Sequence, residues 1–109
     1  YDIFVGGWFS DYNDPLDFLN VMKTGVYDSY GLYSNSEYDS LIDSLTGEND
    51  NAKRLEIYQK LEDLLVAQDC GVAPLYYSDK HYYYQNWVKD FYTSSFGASQ
   101  ELYRASVQK

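Results

Sequence analysis

Apolar positions in this chain follow different periods in different stretches, and the elements can be read from them. Ile3-Phe4-Val5 is a short apolar run that predicts a buried strand, broken by Gly6-Gly7. Asp14-Pro15 predicts a helix start, with Asp14 as cap and Pro15 at the first helical position. Asp17 to Met22 then carries Phe18, Leu19, Val21 and Met22 on one side of a short helix, and Lys23 to Tyr33, with Gly25 and Gly31, reads as a loop. Ser34-Asn35-Ser36 supplies cap residues for a helix from Glu37 to Leu45, in which Tyr38, Leu41, Ile42 and Leu45 recur at i, i+3, i+4 and i+7. It ends near Thr46-Gly47. The polar link Glu48 to Asn51 caps a longer helix, from about Ala52 to Gln68. Its apolar face is Leu55, Tyr58, Leu61, Leu64 and Leu65, with Ile57 beside it and Arg54 mainly on another face; Gly71 is its stop. Gly71 to Tyr77 and His81 to Val88 read as extended strands, and the tail beyond Phe91 as loop plus a possible edge strand.

Composition narrows the partners. Among 109 residues, 45% are apolar, enough for a core of its own. The 14 tyrosines favour surfaces that are apolar in body and hydrogen-bonding at the tip, as ligand sites and interfaces are. A formal charge of −9 leaves no basic stripe for nucleic acid and no pull toward an anionic membrane. No stretch reaches the length of a membrane-spanning helix. Cys70 is the only cysteine and is expected to be a small buried, unreactive residue.

The stretch from Gly7 to Met22, GWFSDYNDPLDFLNVM, concentrates the candidate chemistry. Trp8, Phe9 and Asp11 lie on a loop at the end of the predicted strand, where scaffolds present ligand contacts. Two of them have a plainer role open: Trp8 as core and Asp11 as a loop carboxylate capping backbone N–H groups. Asp11, Asn13, Asp14 and Asp17 do not make a calcium loop of the EF-hand type, because Leu16 and Met22 stand where glycine and glutamate are needed. His81 is the only histidine, so no Cys/His set exists for zinc; no Gly-x-Ser-x-Gly elbow is present, and one histidine near a run of tyrosines does not point to a triad. The expectation is a non-enzyme with no metal and no cofactor.

Gly7-Trp8, Asp11-Tyr12, Asn13-Asp14-Pro15 and Phe18-Leu19 resemble the C-terminal part of the extracellular solute-binding proteins of family 5, the oligopeptide and dipeptide receptors of bacterial ABC importers. Four further blocks keep the family's order: Tyr33 to Asp39, Arg54 to Tyr58 with Leu61 to Leu65, Ala73 to Tyr77, and Trp87 to Phe91. The resemblance implies an α/β chain that is the C-terminal part of a two-lobed periplasmic-binding-protein (type 2) fold. Residues 1–78 would end the second lobe, and 79–109 would return to the first. It implies that Asp11 takes a peptide's amino group, that the indole of Trp8 packs on the ligand, and that Phe9 offers main-chain groups. It also implies permease subunits as partners, a monomeric whole protein, and a place in the periplasm or, lipid-anchored, on the outer face of the membrane. Ser78 stands where the family often has a further aromatic, which leaves ligand size open. The chain opens at Tyr1 inside a strand pattern, which suggests a fragment of a longer protein. A Tyr-rich cell-surface or carbohydrate-binding module is the alternative.

Overall fold

Three helices carry the core because each has a side-chain cap at its start and an apolar stripe toward the others. A computed structural model describes residues 2–26, 32–96 and 102–108. Helix α1 (Leu16–Leu19) runs into a 3-10 turn (Asn20–Met22). Helix α2 (Ser36–Ser44) is capped by Asn35, whose Oδ1 accepts from the N–H groups of Glu37 at 2.8 Å and Tyr38 at 3.1 Å. Helix α3 (Asn51–Glu62) is capped by Asp50, whose Oδ1 accepts from Ala52 N–H at 2.9 Å, and it continues as a π-helical segment (Asp63–Gln68). These caps satisfy helix-start donors that would otherwise have no partner.

The buried core is Leu19, Val21 and Met22 from α1 and its turn, Tyr38, Ile42 and Leu45 from α2, and Tyr58, Leu61, Leu64 and Leu65 from α3 and its continuation. The predicted stripes of both long helices are therefore the packing faces, with one exception. Leu55 is 57% exposed. At about 100° per residue it falls at the margin of the Tyr58-Leu61-Leu65 stripe, and Arg54 falls nearer the centre. The Tyr38 hydroxyl donates to the Leu19 carbonyl at 2.8 Å and fastens α2 to α1 inside the core.

Helix α3 ends differently from the sequence expectation. Cys70, not Gly71, takes the left-handed conformation (φ 51°), and this turns the cysteine outward. Cys70 is exposed, not buried. Gly71 is needed for another reason: a Cβ there would stand 2.6 Å from the Tyr33 ring. That ring is fixed, because its hydroxyl donates to Asp69 Oδ2 at 2.8 Å, where Asn35 Nδ2 also donates at 2.7 Å.

The strands depart most from expectation. Ile3, Phe4 and Val5 are 84%, 54% and 75% exposed and form no strand. Leu75, Tyr76 and Tyr77 are likewise exposed and unladdered. The described residues hold one ladder only, β1 (Val88–Lys89) antiparallel to β2 (Ser106–Val107), with Val88 opposite Val107. This places an edge strand in the tail, as expected. The two apolar runs pair with no strand among the described residues. The radius of gyration is 18.2 Å, against about 13 Å for a compact domain of this length. Residues 27–31 of the predicted loop and 97–101 of the tail lie outside the described residues.

Candidate functional site

The loop from Trp8 to Asp14 is held by two carboxylates that flank Pro15. Asp17, in the first turn of α1, is 6% exposed, the one buried charged residue among those described. Its Oδ2 accepts two hydrogen bonds, from the Trp8 indole Nε1–H at 3.1 Å and from the Asp11 backbone N–H at 2.9 Å. Half-buried, Trp8 packs on the core, the plainer role open to it from sequence, and its indole N–H is held by a carboxylate.

Asp14 makes the second tether. Its Oδ1 accepts from Leu16 N–H at 2.9 Å, so the expected cap at the start of α1 is present. The same oxygen accepts from the Tyr58 hydroxyl at 2.6 Å, and Oδ2 accepts from Arg54 Nη2 at 2.7 Å. Arg54 Nη2 also donates to the Tyr58 hydroxyl, and its guanidinium carbon lies 5.4 Å from that ring's centroid. Through Nη1 it donates to the carbonyls of Leu45 at 3.3 Å and Glu48 at 3.1 Å, which end α2. One guanidinium therefore joins the loop, the end of α2 and the start of α3, a planar fork that lysine cannot reproduce.

The electrostatics follow from this network. Burial works to raise the Asp14 pKa, but the Tyr58 hydroxyl, the Leu16 N–H and the Arg54 charge outweigh it and hold the carboxyl below its usual value. Burial, with the Asp14 carboxylate beside it, pushes the Tyr58 phenol up to about 12. Asp14 is thus kept as an anion by donors, and its charge is fully engaged in holding the loop.

Asp11 is different. Its backbone is tied to Asp17, while its exposed carboxylate makes no hydrogen bond or ion pair among the described residues. Phe9 is 60% exposed, and the Lys80 ammonium sits 4.5 Å from the centroid of its ring. Lys80 belongs to the segment between the two extended runs, so this cation–π contact joins that segment to the loop. Trp8, Phe9 and Asp11 therefore share one tethered loop: an indole packed inward, a phenyl face turned out and an available carboxylate. Tyr82 and Tyr84 both meet Phe91, at ring-centroid distances of 6.1 and 5.1 Å. The open groove lined by Tyr82, Tyr83, Tyr84 and Gln85 includes none of the three loop residues.

Sequence reasoning did not single out Asp17, Arg54 or Tyr58 as builders of the loop. The available signal was Arg54 itself. An arginine within a buried stripe needs an anion, and Asp14 follows from that requirement.

No family model matches the chain. Individual proteins do. The chain is 32% identical over 88 residues, 81% of its length, to the periplasmic oligopeptide-binding protein OppA of Salmonella typhimurium, of which it spans 16%. It is 34% identical over 70 residues, 64% of its length, to the probable deoxycholate-binding periplasmic protein YgiS of Escherichia coli, of which it spans 13%. Among solved structures it matches the pheromone receptor PrgZ, described with its mode of peptide binding. The TM-score is 0.74 at 29% identity, covering 94% of this chain and 19% of that one.

Proposed function

Because this chain belongs with the extracellular solute-binding proteins of family 5, of which it carries a segment, we propose that the whole protein captures peptides outside the cytoplasm for an ABC importer. The observation that carries the reading is Asp11: an unengaged carboxylate on a loop whose backbone is fixed from behind by a buried acid. A peptide's amino group is cationic at neutral pH, and a carboxylate held in place is the simplest group to specify it. Such a charge-assisted bond contributes on the order of 1.5–3 kcal/mol. The Trp8 indole bounds the site on one side, and Phe9 contributes its main-chain N–H and C=O to an extended ligand.

In this reading residues 1–78 complete the second lobe and 79–109 return to the first. The Lys80–Phe9 contact lies at that crossing. Closure of two lobes on a ligand requires contacts from both, so the segment supplies part of the site and the rest of the protein supplies the remainder. The whole protein acts as a monomer that delivers its peptide to permease subunits, in the periplasm or anchored by lipid to the outer face of the membrane, and performs no chemistry on it.

YgiS, named as a probable deoxycholate-binding protein, has a related sequence, and deoxycholate has no amino group for Asp11 to hold. Mass spectrometry of small molecules released by unfolding the purified whole protein separates the two ligand classes. Short peptides with free amino termini are expected. A steroid acid in their place would overturn the peptide reading.

A further inference from the structure

We propose that Asp17 is the positioning residue of the ligand loop, setting the Trp8 indole and the Asp11 main chain against each other without itself touching the ligand. The inference rests on the peptide reading above.

Asp17 sits in the first turn of a helix, where an acid also favours the helix dipole. That role does not require burial, and yet Asp17 is 6% exposed. Burying a carboxylate is costly unless its oxygens are engaged. Here Oδ2 is engaged twice, by two donors that both belong to the candidate site. Hydrogen bonds to an ionised acceptor are shorter and about twice as strong as neutral ones, so each fixes direction as well as distance. The two bonds act on different parts of the loop. The bond to the Asp11 N–H fixes the backbone from which the free carboxylate projects. The bond to Nε1 selects one orientation of the indole and turns its polar edge to the buried acid, while the ring packs in part on the core and the part left exposed can meet the ligand. Asp14 cannot substitute, because both of its oxygens are committed to Leu16, Tyr58 and Arg54.

Loss of this anchor leaves the core in place and loosens the loop, so affinity falls more than stability. The test uses the whole protein with an equimolar mixture of tri-, tetra- and penta-alanine bearing free amino termini. Calorimetry and thermal melts are recorded for the wild type, Asp17→Ala, Asp17→Asn, Trp8→Phe and the Trp8→Phe/Asp17→Ala pair. Asp17→Ala should weaken binding at least about tenfold, the equivalent of one charge-assisted bond. Asp17→Asn, which keeps an acceptor oxygen, should restore part of that loss. Trp8→Phe removes the indole donor, so the double change should lose less than the sum of the two single changes. The Trp8 indole N–H resonance should move upfield in Asp17→Ala and partly return in Asp17→Asn. This readout reports the bond even without ligand. Wild-type affinity in Asp17→Ala, or fully additive losses with an unmoved indole resonance, would overturn the role of Asp17 while leaving peptide capture standing. Failure of the wild type to bind any of the three peptides would count instead against the peptide reading, and this inference would fall with it. Should Asp17→Ala not fold, the Asp17→Asn affinity and indole resonance decide, wild-type values in both being the contrary result.

Discussion

Arg54 Nη2 donates to Asp14 Oδ2 at 2.7 Å across 40 positions of sequence, and this pair connects the candidate ligand loop to the first turn of α3. The Tyr58 hydroxyl closes the triangle on the other oxygen of Asp14. Part of the loop's anchoring thus comes from a helix that contributes no residue to the candidate ligand site.

Replacing Arg54 should therefore destabilise the fold beyond what an exposed ion pair would. Arg54→Ala is expected to cost about 1.5–3 kcal/mol, the range for hydrogen bonds to charged groups, because Asp14 and two carbonyls lose their donor. Arg54→Lys should recover little, since one ammonium cannot reach the loop and the end of α2 together. Urea melts of both variants check this, and losses below about 0.5 kcal/mol in each, the scale of an ordinary surface change, would contradict it.

The same network sets a pH dependence with a defined sign. Asp14 has a lowered pKa in the folded chain, so the unfolded chain binds its proton more readily. Its contribution is present above the unfolded value, about 4, and is lost as pH falls through the folded one. Tyr58 is raised to about 12, and Tyr33 likewise to about 12 by burial and by Asp69. Their contribution is complete below the unfolded value, about 10, and is lost as pH rises through the folded values. Chemical melts across pH should show stability falling at both ends. Tyr58→Phe should flatten part of the alkaline fall, and an alkaline limb unchanged by that substitution would contradict the assignment.

Two leucines of α3 should separate sharply. Leu61 is 0% exposed and Leu55 57%. Leu61→Ala is expected to cost about 2–5 kcal/mol through lost burial and the cavity left behind. Leu55→Ala should stay within about 0.5 kcal/mol. Equal losses for the two in denaturant melts would mean that the packing face of α3 lies elsewhere.

Legibility from sequence follows the range of the interactions. Asn35 and Asp50 are readable as caps because a cap and the N–H groups that donate to it lie within three residues. The stripes Tyr38-Ile42-Leu45 and Tyr58-Leu61-Leu65 were readable because periodicity is local. Leu55 and Arg54 were misplaced because a stripe's margin depends on what packs against it. Ile3-Phe4-Val5 and Leu75-Tyr76-Tyr77 have the composition of strands, but a strand needs a partner, and no described residue of this chain supplies one. Cys70 was misjudged because its neighbours are apolar, whereas its exposure is decided by one left-handed residue at the end of a helix. At the loop, the motif residues Trp8, Phe9 and Asp11 were visible as types. Asp14 is legible as a cap, but Asp17 as the loop's anchor is not, because the bond from Trp8 to Asp17 spans nine positions and depends on the turn at Pro15.

The central claim is that the Asp11 carboxylate receives a peptide's amino group, and calorimetry on four combinations tests it most directly: wild-type or Asp11→Asn whole protein, each with a free or an N-acetylated peptide drawn from those that co-purify. The amide is nearly isosteric and the Asp11 N–H to Asp17 is unaffected, so the fold should persist. What is lost is the charge opposite an enclosed ammonium, which typically costs about 3–5 kcal/mol, at least a hundredfold in affinity. Acetylation removes the same interaction from the other side, so the two losses should be strongly non-additive. Independent, additive losses would show that Asp11 does not hold the amino group.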